Sequence, residues 1–409
     1  MERQSGRCLK IAFAMINCNR RDGSARAVNE VAERLALSHE VHLFARKAED
    51  LDLEKVRWHR VPGPGWPEVA DFLSYYLTVN HHLSAFRSPL SALPFDIIHS
   101  IGCNVPQADV ITIQNVQPAK SGVLEHLGGN KQVSLGRRWT RGLYLRATSR
   151  AERRLYTHRK DRRPPLFLPV SKGTEAELRT HYDIGPAPVR VVPNAADTQV
   201  FHPIQGAERH AWREQNGIRT GGIMLIFSGG EWSRKGLEEA IRGLAILARP
   251  DVQLFVAGDD PDRVRFHHLV AELGLSNRVV FGGFRRDIAT AMAAADVFLF
   301  PSWYEAFSLA TIEAAACGLP IVATRINGTE DFIQPGITGE FIEHDPEHIA
   351  SVLRHLISDL NTCRRMGEAA RRLVEQDYTW DRVAAMTEAA YLEYLDETPM
   401  VLNQPPARP

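Results

Sequence analysis

The chain has 409 residues, and its 49 Lys and Arg equal its 49 Asp and Glu in number. This length predicts two domains, and the hydrophobic (44%) and charged (24%) contents are ordinary for a soluble globular protein. The balanced total charge therefore indicates no class of partner. The charge is unevenly distributed, however, because residues 137–163 hold eleven Lys or Arg against only Glu152 and Asp161.

Cysteine usage and hydropathy indicate the cellular compartment. The five Cys are scattered, odd in number and without a C-x-x-C pair, which predicts a reducing environment with neither disulfides nor a zinc site. No apolar run approaches the roughly 18 residues of a membrane span. The N-terminal run LKIAFAMI is followed by Asn17, Asn19 and Arg20 instead of a small-residue cleavage site, which predicts a buried strand. We therefore expect a cytoplasmic protein.

The first half of the chain alternates strand and helix patterns. Strands are predicted at 9–16, 40–45, 55–61, 95–100, 109–114 and 166–170, and at the start of 189–203. Helices are predicted at 24–37, 69–86, 137–160 and 171–182. This alternation favours a doubly wound parallel sheet.

The pattern restarts after a Pro-punctuated linker near 195–210. Strands are predicted at 223–230, 252–260, 278–284, 296–300 and 319–324, and helices at 235–248, 261–273, 287–295, 306–317 and 379–396. Short helices are expected between the last strand and the final helix, and residues 399–409 are predicted to be a flexible tail. Two such sheets would leave a cleft between the C-terminal ends of their strands, where ligands bind.

The strongest chemical signal is the stretch 301–323, PSWYEAFSLATIEAAACGLPIVA. Glu305 lies at the mouth of a small-residue helix and Glu313 lies inside it, so the helical rise predicts a separation of about 12 Å. Two carboxylates that act on one bond lie about 5–9.5 Å apart, whereas this spacing suits the two ends of an elongated ligand. The helix N-terminus between them offers N–H groups to a phosphate. The stretch therefore predicts a nucleotide-sugar site.

A second signal is FSGGEWSRKG, residues 227–236. A strand ends at Gly229 and Gly230, and Arg234 and Lys235 precede a helix. The glycines permit close approach of the backbone, and the two cations suit a diphosphate leaving group. The alternative is a surface turn with solvated charges, but a second polar motif at the same predicted sheet edge favours the phosphate site.

Both stretches strongly resemble those of the family-four retaining glycosyltransferases, as do VRVVPNAADTQVFHP and RVVFGGFRRDIATAMAAADVFLFPS, and the match covers most of 166–375. The resemblance implies the α/β GT-B fold, in which two Rossmann-like doubly wound domains face each other across a cleft. Residues 1–195 would bind the acceptor and residues 196–376 the nucleotide-sugar. A helix within 377–398 would cross back to the N-terminal domain.

The resemblance also implies roles for single residues. Glu313 would bind the ribose hydroxyls and Glu305 would contact the donor sugar. The backbone N–H groups of Phe307, Ser308 and Leu309 would hold the diphosphate together with Gly229, Gly230, Arg234 and Lys235, and Phe284 and Arg285 would lie near the base. The leaving phosphate would take the acceptor's proton, so the chemistry would depend on positioning and on stabilisation of the departing diphosphate.

The N-terminal half resembles the family less closely. Gly23 is the one glycine of a loop in which the family has two, and it would approach the donor; an ordinary helix start is the alternative. Gln114, with Asn115 beside it on the acceptor side, stands where many members have His. His99 ends the preceding strand and is either a site residue or a structural one.

No metal or cofactor is expected beyond the nucleotide-sugar, for which a UDP-sugar is favoured. Asp50-Leu51-Asp52 resembles the metal-binding D-x-D of glycosyltransferases with another fold, but it lies in a charged loop and such tripeptides are common. The expected cations Arg234 and Lys235 and a helix end would neutralise the diphosphate instead.

The basic segment 137–163 has two interpretations. It is either a solvated helix face or a surface for an anionic membrane or acceptor, where each cation contributes about 1 kcal/mol. Trp139 and Tyr144 lie between its Arg residues, which favours the second interpretation. Nucleic acid is not expected as a partner, because the donor motifs already explain the cleft. The order of YLRATSRAERRLY before the second half also looks similar to bacterial lipopolysaccharide core glucosyltransferases.

The leading functional hypothesis is transfer of a hexose from a nucleotide-diphosphate sugar to a glycan or glycolipid in cell-envelope polysaccharide or lipopolysaccharide synthesis, at the inner face of the cell membrane. One alternative is a GT-B sugar-nucleotide epimerase, which needs additional acid/base carboxylates in the cleft. A phosphorylase would need a pyridoxal-phosphate lysine, for which the sequence has no pattern. Another alternative is an inactive sugar-nucleotide-binding protein.

Overall fold

The computed structural model describes residues 7–20, 23–85, 95–127 and 135–397, so the predicted tail at 399–409 lies outside the described residues. These residues form two α/β units, each built on a six-stranded sheet. The prediction of two doubly wound domains is confirmed.

The N-terminal unit is built on a parallel sheet with the order β5-β3-β1-β6-β7-β8. Its elements in chain order are β1 (Lys10–Ala14), β2 (Asn17–Cys18), α1 (Gly23–Leu35), β3 (Glu40–Ala45), β4 (Lys47–Ala48), β5 (Arg57–Arg60), α2 (Glu68–Ala85), β6 (Ile97–Ile101), β7 (Val110–Ile113), α3 (Gln117–His126), α4 (Leu135–Tyr156), β8 (Leu166–Pro169) and α5 (Lys172–His181). Strands such as β6 and β8 are buried along their whole length, as expected where helices cover both faces of a parallel sheet.

The C-terminal unit has a parallel sheet with the order β11-β10-β9-β12-β13-β14. Its elements are α6 (Gly206–Gln215), β9 (Ile223–Ser228), α7 (Leu237–Leu247), β10 (Val252–Ala257), α8 (Arg263–Glu272), β11 (Val279–Gly283), α9 (Ile288–Ala293), β12 (Val297–Phe300), α10 (Leu309–Ala316), β13 (Ile321–Thr324), α11 (Thr329–Phe332), β14 (Gly339–Ile342), α12 (Pro346–Leu356), α13 (Leu360–Asp377) and α14 (Trp380–Asp396). The loops after β9 and β12 leave the same edge of the sheet because neighbouring parallel strands end together.

The sequence prediction missed the helices α3 and α6 and the strands β2, β4 and β14, and it overestimated one strand. Helices α3 and α6 were not predicted because their residues are mostly polar; in α6 only Trp212 and Arg213 are buried. The segment after Pro188 donates backbone hydrogen bonds to β8 from Arg190 and Val192, yet it forms a single bridge there. The flanking prolines explain this result, since proline cannot donate to a ladder. The region in which only short helices were expected contains α11, β14, α12 and α13, and α13 is 18 residues long.

The chain passes between the two units at two adjacent points. Ala195 belongs to the N-terminal core and Ala196 to a C-terminal core. The Ala196 N–H donates to the Tyr378 carbonyl at 3.0 Å, so the outgoing and returning segments lie side by side. After this point α14 buries side chains such as Tyr391 in the N-terminal core, where it packs against α1. The two units are thus joined by paired crossings close to the cleft.

Candidate active site

A cavity of about 400 Å³ lies between the two units, at the C-terminal edges of both sheets. It brings together most of the residues predicted from the sequence. The N-terminal unit contributes Arg20, Gly23, Ser24, Arg26, Gln114, Asn115 and Asn194, and the C-terminal unit contributes Lys235, Glu305, Ala306, Phe307, Ser308, Leu309, Ala310 and Glu313.

Glu305 is held by two cations of its own unit. Its Oε1 accepts hydrogen bonds from Lys235 Nζ at 2.8 Å and from Arg234 Nη1 at 2.9 Å. Arg234 also pairs with Glu231 at 2.7 Å and donates to the Tyr304 carbonyl. Burial alone would raise the pKa of Glu305, but the attraction of the two cations outweighs it, so the pKa lies below the usual range. Glu305 is therefore a charged carboxylate at neutral pH.

The turn between β9 and α7 places these cations and depends on glycine. Gly229 has φ 131°, and a Cβ atom there would lie 2.7 Å from Lys235 Cε. Gly236 has φ 76°, and a Cβ atom there would lie 2.0 Å from the Pro301 carbonyl oxygen. Any larger residue would therefore push the lysine or the next loop away. This close packing brings the turn after β9 against the loop that carries Glu305.

Glu313 is held by a cation from the opposite unit. Arg26, at the end of the first turn of α1, places Nη1 2.5 Å from Glu313 Oε1. The side chains are only 19% and 10% exposed, respectively. Burial raises the pKa of Glu313, and the opposing attraction of Arg26 is too weak to cancel this effect. The two predicted ligand-binding glutamates thus have opposite pKa shifts.

Two helix N-termini meet at the cavity. Helix α10 begins at Leu309, later than predicted, and its N-cap Ser308 accepts a hydrogen bond from the Thr311 N–H at 3.2 Å. Glu305 therefore lies before the helix, and the separation of about 12 Å that helical rise predicts for the two glutamates stays a prediction. Helix α1 begins at Gly23, where a Cβ atom would lie 3.2 Å from Leu309 Cδ1. The first N–H groups of a helix have no partner within the helix, so those at both helix starts suit a bound diphosphate.

Gln114 and Asn115 line the N-terminal side of the cavity, as predicted for the acceptor side. Gln114 Nε2 lies 3.4 Å from Asn194 Oδ1, which is a weak hydrogen bond. Lys120, in the first turn of α3, is half-buried and interacts electrostatically with Glu231, Arg234 and Glu305. Burial lowers the pKa of Lys120, so α3 brings a further cation toward the site.

His99 does not reach the cavity, and the prediction of a catalytic role for it is wrong. Its ring is 3% exposed, lies within β6 and packs against α14. Its Nδ1 is 2.5 Å from the Tyr391 hydroxyl, and its Nε2 is 2.7 Å from the Thr112 hydroxyl. Burial lowers the pKa of His99 to about 3, so the ring is neutral and structural.

The predicted base-binding residues follow β11, outside the cavity lining. Phe284 is 75% exposed, and Arg285 forms two hydrogen bonds with Asp287 at 2.8 and 2.6 Å. The strand ends at the same sheet edge as β9, because Gly258, next to Gly229, donates to the Gly283 carbonyl at 2.8 Å. Their contact with a base stays a prediction.

The D-x-D motif is engaged in local contacts. The Asp50 carbonyl accepts from Arg20 Nε at 3.0 Å, and Asp52 pairs with Lys55 at 2.8 Å. Across the described residues, no group of three or more His, Cys, Asp or Glu could hold a metal ion. Within the same ranges, none of the helices combines the length and hydropathy needed to cross a bilayer.

Two family models match the chain in succession: "Glycosyltransferase Family 4" over residues 21–200 and "Glycosyl transferases group 1" over residues 208–373. This chain belongs to the family-four glycosyltransferases. The family resemblance drawn from the sequence is confirmed, and so is the prediction of a glycosyltransferase enzyme.

Individual relatives support the same assignment. The alpha-maltose-1-phosphate synthase of Mycobacterium tuberculosis (strain H37Rv) is 28% identical over 346 residues, which cover 79% of this glycosyltransferase and 80% of that protein. The lipopolysaccharide glucosyltransferase WaaG of Escherichia coli (strain K12) is 30% identical over 49% of this chain and 55% of its own length. Several other curated relatives also align over only 54–59% of their own length.

Solved structures share the fold over nearly the whole chain. A crystal structure of WaaG superposes with a TM-score of 0.73 at 24% identity, covering 93% of this chain and 99% of that one. Anabaena Alr3699/HepE, crystallised with UDP-glucose, gives a TM-score of 0.69 at 17% identity, covering 95% of this chain and all of its own. The expected GT-B fold is confirmed, as is the weaker likeness to lipopolysaccharide glucosyltransferases.

Sequence reasoning missed four residues at this site. Arg20 and Arg26 lie beside the predicted Gly23, and Asn194 lies in a segment that was noted only for its family resemblance. Lys120 belongs to a helix that was not predicted. The Arg three residues after a predicted cleft glycine was a usable signal, because residues three positions apart lie on the same face of a helix.

Proposed function

We propose that this glycosyltransferase is a retaining hexosyltransferase that moves a sugar from a UDP-sugar to a glycan or glycolipid acceptor. One observation carries the proposal: Glu305, Glu313, Lys235 and the start of α10 line a single cavity between two Rossmann-like units. Carboxylates that can bind hydroxyl groups therefore line the same cavity as a cation and N–H groups that suit a diphosphate. The UDP-glucose bound to HepE is consistent with this donor class.

Each part of the cavity would have a separate task. Glu313 would accept hydrogen bonds from ribose hydroxyls, and Glu305 would do the same for the donor sugar. Lys235 and Arg234 would stabilise the negative charge that develops on the departing diphosphate. The acceptor hydroxyl would approach from the side of Gln114 and Asn115 and would give its proton to the leaving phosphate, so positioning would supply most of the rate enhancement. No metal ion or further cofactor is part of this proposal.

The proposed acceptor is a cell-envelope glycan or glycolipid, met at the cytoplasmic face of the membrane. Helix α4 supports this proposal, because Trp139 is 73% exposed beside exposed arginines such as Arg141 and Arg146. The side chains of Arg137 and Arg138 lie outside the described residues. Neutralising Arg141 and Arg146 together to Gln should weaken binding to vesicles of anionic phospholipid, with Arg179→Gln on α5 as a control. Unchanged binding would identify α4 as a solvated face.

Donor turnover tests the enzymatic proposal. Labelled UDP-, GDP- and ADP-sugars should reveal one donor that is slowly hydrolysed without acceptor, and Glu305→Ala should strongly reduce this reaction. An epimerase would instead return an altered nucleotide-sugar, but both cavity-lining carboxylates, Glu305 and Glu313, are paired with cations. If the protein binds a nucleotide-sugar but turns it over with no acceptor extract that is added, it is an inactive nucleotide-sugar-binding protein. Absence of both binding and turnover would refute the proposed function.

A further inference from the structure

The Arg26–Glu313 pair differs from the other ion pairs of the cavity. Arg20 is held by Glu30 and Glu33, and Lys235 by Glu305, so each of these cations pairs within its own unit. Arg26 instead reaches across the cleft, and within the described residues this is its one ion pair. The contact therefore exists only while the two units are close together.

Arg26 occupies the Glu313 carboxylate, to which the ribose of the donor would bind. A ribose diol bound to Glu313 donates hydrogen bonds to the carboxylate oxygens, and Arg26 Nη1 lies 2.5 Å from one of them. The side chain of Glu313 is 10% exposed, and burial raises its pKa despite the arginine. Glu313 is therefore incompletely stabilised by Arg26 and would gain from hydroxyl donors.

A diphosphate in this cavity would offer Arg26 a replacement partner. Arg26 lies one turn into α1, whose first residue, Gly23, faces the start of α10 at Leu309. The guanidinium lines the same cavity as the first N–H groups of α10. Guanidinium groups bind phosphate through two parallel hydrogen bonds, which a single contact to Oε1 leaves unused. One nucleotide could thus satisfy both members of the pair, its ribose at Glu313 and its diphosphate at Arg26.

We propose that Arg26 is a donor-binding residue supplied by the N-terminal unit, which exchanges the Glu313 carboxylate for the donor diphosphate when the nucleotide-sugar binds. This inference rests on the proposed function, because it needs a nucleoside diphosphate in the cavity. The exchange would make donor binding depend on the acceptor domain. The arginine would also hold the two units together both before and after the donor enters, through a different partner in each state.

Calorimetric titration of UDP and uridine into the full-length protein separates this role from a purely structural one. Arg26→Gln should weaken UDP binding by about 10-fold to 100-fold, the range expected for one charge-assisted hydrogen-bonded contact of about 1.5–3 kcal/mol. Uridine binding should stay the same or tighten, because Glu313 is released. Arg26→Lys keeps the positive charge at this position, so it disturbs folding less than Arg26→Gln does. It should also lose less UDP affinity than Arg26→Gln.

Arg34→Gln is the matched control, since Arg34 lies on the same helix and pairs with Glu30 and Asp381 outside the cavity lining. It should leave both affinities unchanged. Equal tightening of UDP and uridine by Arg26→Gln would overturn the exchange and make Arg26 a competitor only. Equal weakening of both, or UDP affinity equal to that of the wild type, would also overturn it. Failure of the wild type to bind UDP, GDP or ADP would instead refute the proposed function, and this inference with it.

Discussion

Glu305 and Glu313 are the same residue type in the same cavity, yet their surroundings are opposite. Glu305 receives Arg234 and Lys235 from its own unit, and its pKa is lowered. Glu313 receives one arginine from the opposite unit, and its pKa is raised. The comparison indicates that the C-terminal unit assembles the electrostatics around Glu305 with its own cations, whereas those around Glu313 depend on how the units meet.

The largest expected effect concerns activity at Glu305. Glu305→Gln should lower kcat/KM for donor hydrolysis or transfer by about 10²–10³-fold, similar to the loss of one preorganised transition-state contact. The control is Glu231→Gln, because Glu231 also pairs with Arg234 but its side chain is 57% exposed. The control should change kcat/KM by less than about tenfold, as expected for an exposed pair. Similar losses in both variants would contradict a special role for Glu305.

Stability gives the next test of the comparison. Glu305→Gln removes the shared partner of two largely buried cations, so we expect the free energy of unfolding of the C-terminal unit to fall by about 3 kcal/mol. Glu313→Gln should change it by less than about 1 kcal/mol, because the neutral amide also removes the desolvation penalty of a carboxylate. Urea unfolding followed by tryptophan fluorescence measures both. Equal destabilisation would show that the two sites are equivalent.

Lys120 tests whether the Glu305 site depends on the N-terminal unit for a cation. Lys120→Met keeps the length of the side chain but removes the charge that interacts with Glu305 and Arg234. We expect about a tenfold loss in kcat, the effect of about 1.4 kcal/mol, with unchanged UDP affinity. Lys172→Met is the control, since the Lys172 side chain is 81% exposed on α5. Unchanged kcat in Lys120→Met would confine the catalytic cations to the C-terminal unit.

The smallest expected effect is a difference in pH dependence. Glu305 has a lowered pKa in the folded state, so its contribution is complete above its ordinary pKa and is lost as the pH falls through the folded value. Glu313 has a raised pKa, so its contribution is present below the ordinary value and is lost as the pH rises through the folded one. Unfolding free energies from pH 3.5 to 7 should therefore give wild-type minus Gln differences with opposite slopes. Slopes of one sign would contradict the comparison.

Much of the fold was predictable because buried parallel strands are short apolar runs. Strands such as β1, β9 and β12 were predicted within a few residues, since their burial on both faces gives an unbroken apolar signal. Helices α3 and α6 were not, because their contacts with neighbouring elements, and not an apolar stripe, stabilise them. The start of α10 was placed too early, at Ala306, because alanine is the residue most favourable in a helix.

The sequence determined the chemistry of the donor side: two glutamates, a glycine turn with two cations, and a helix start between apolar strands. These features are local, so the chain carries them as contiguous motifs. Only the tertiary structure decided which partners these groups take. Arg26 and Glu313 are 287 positions apart. His99 is buried away from the site, where its ring forms a hydrogen bond with the Tyr391 hydroxyl of α14, the helix that returns from the other unit. Long-range pairing depends on how the two units pack, which no local pattern encodes.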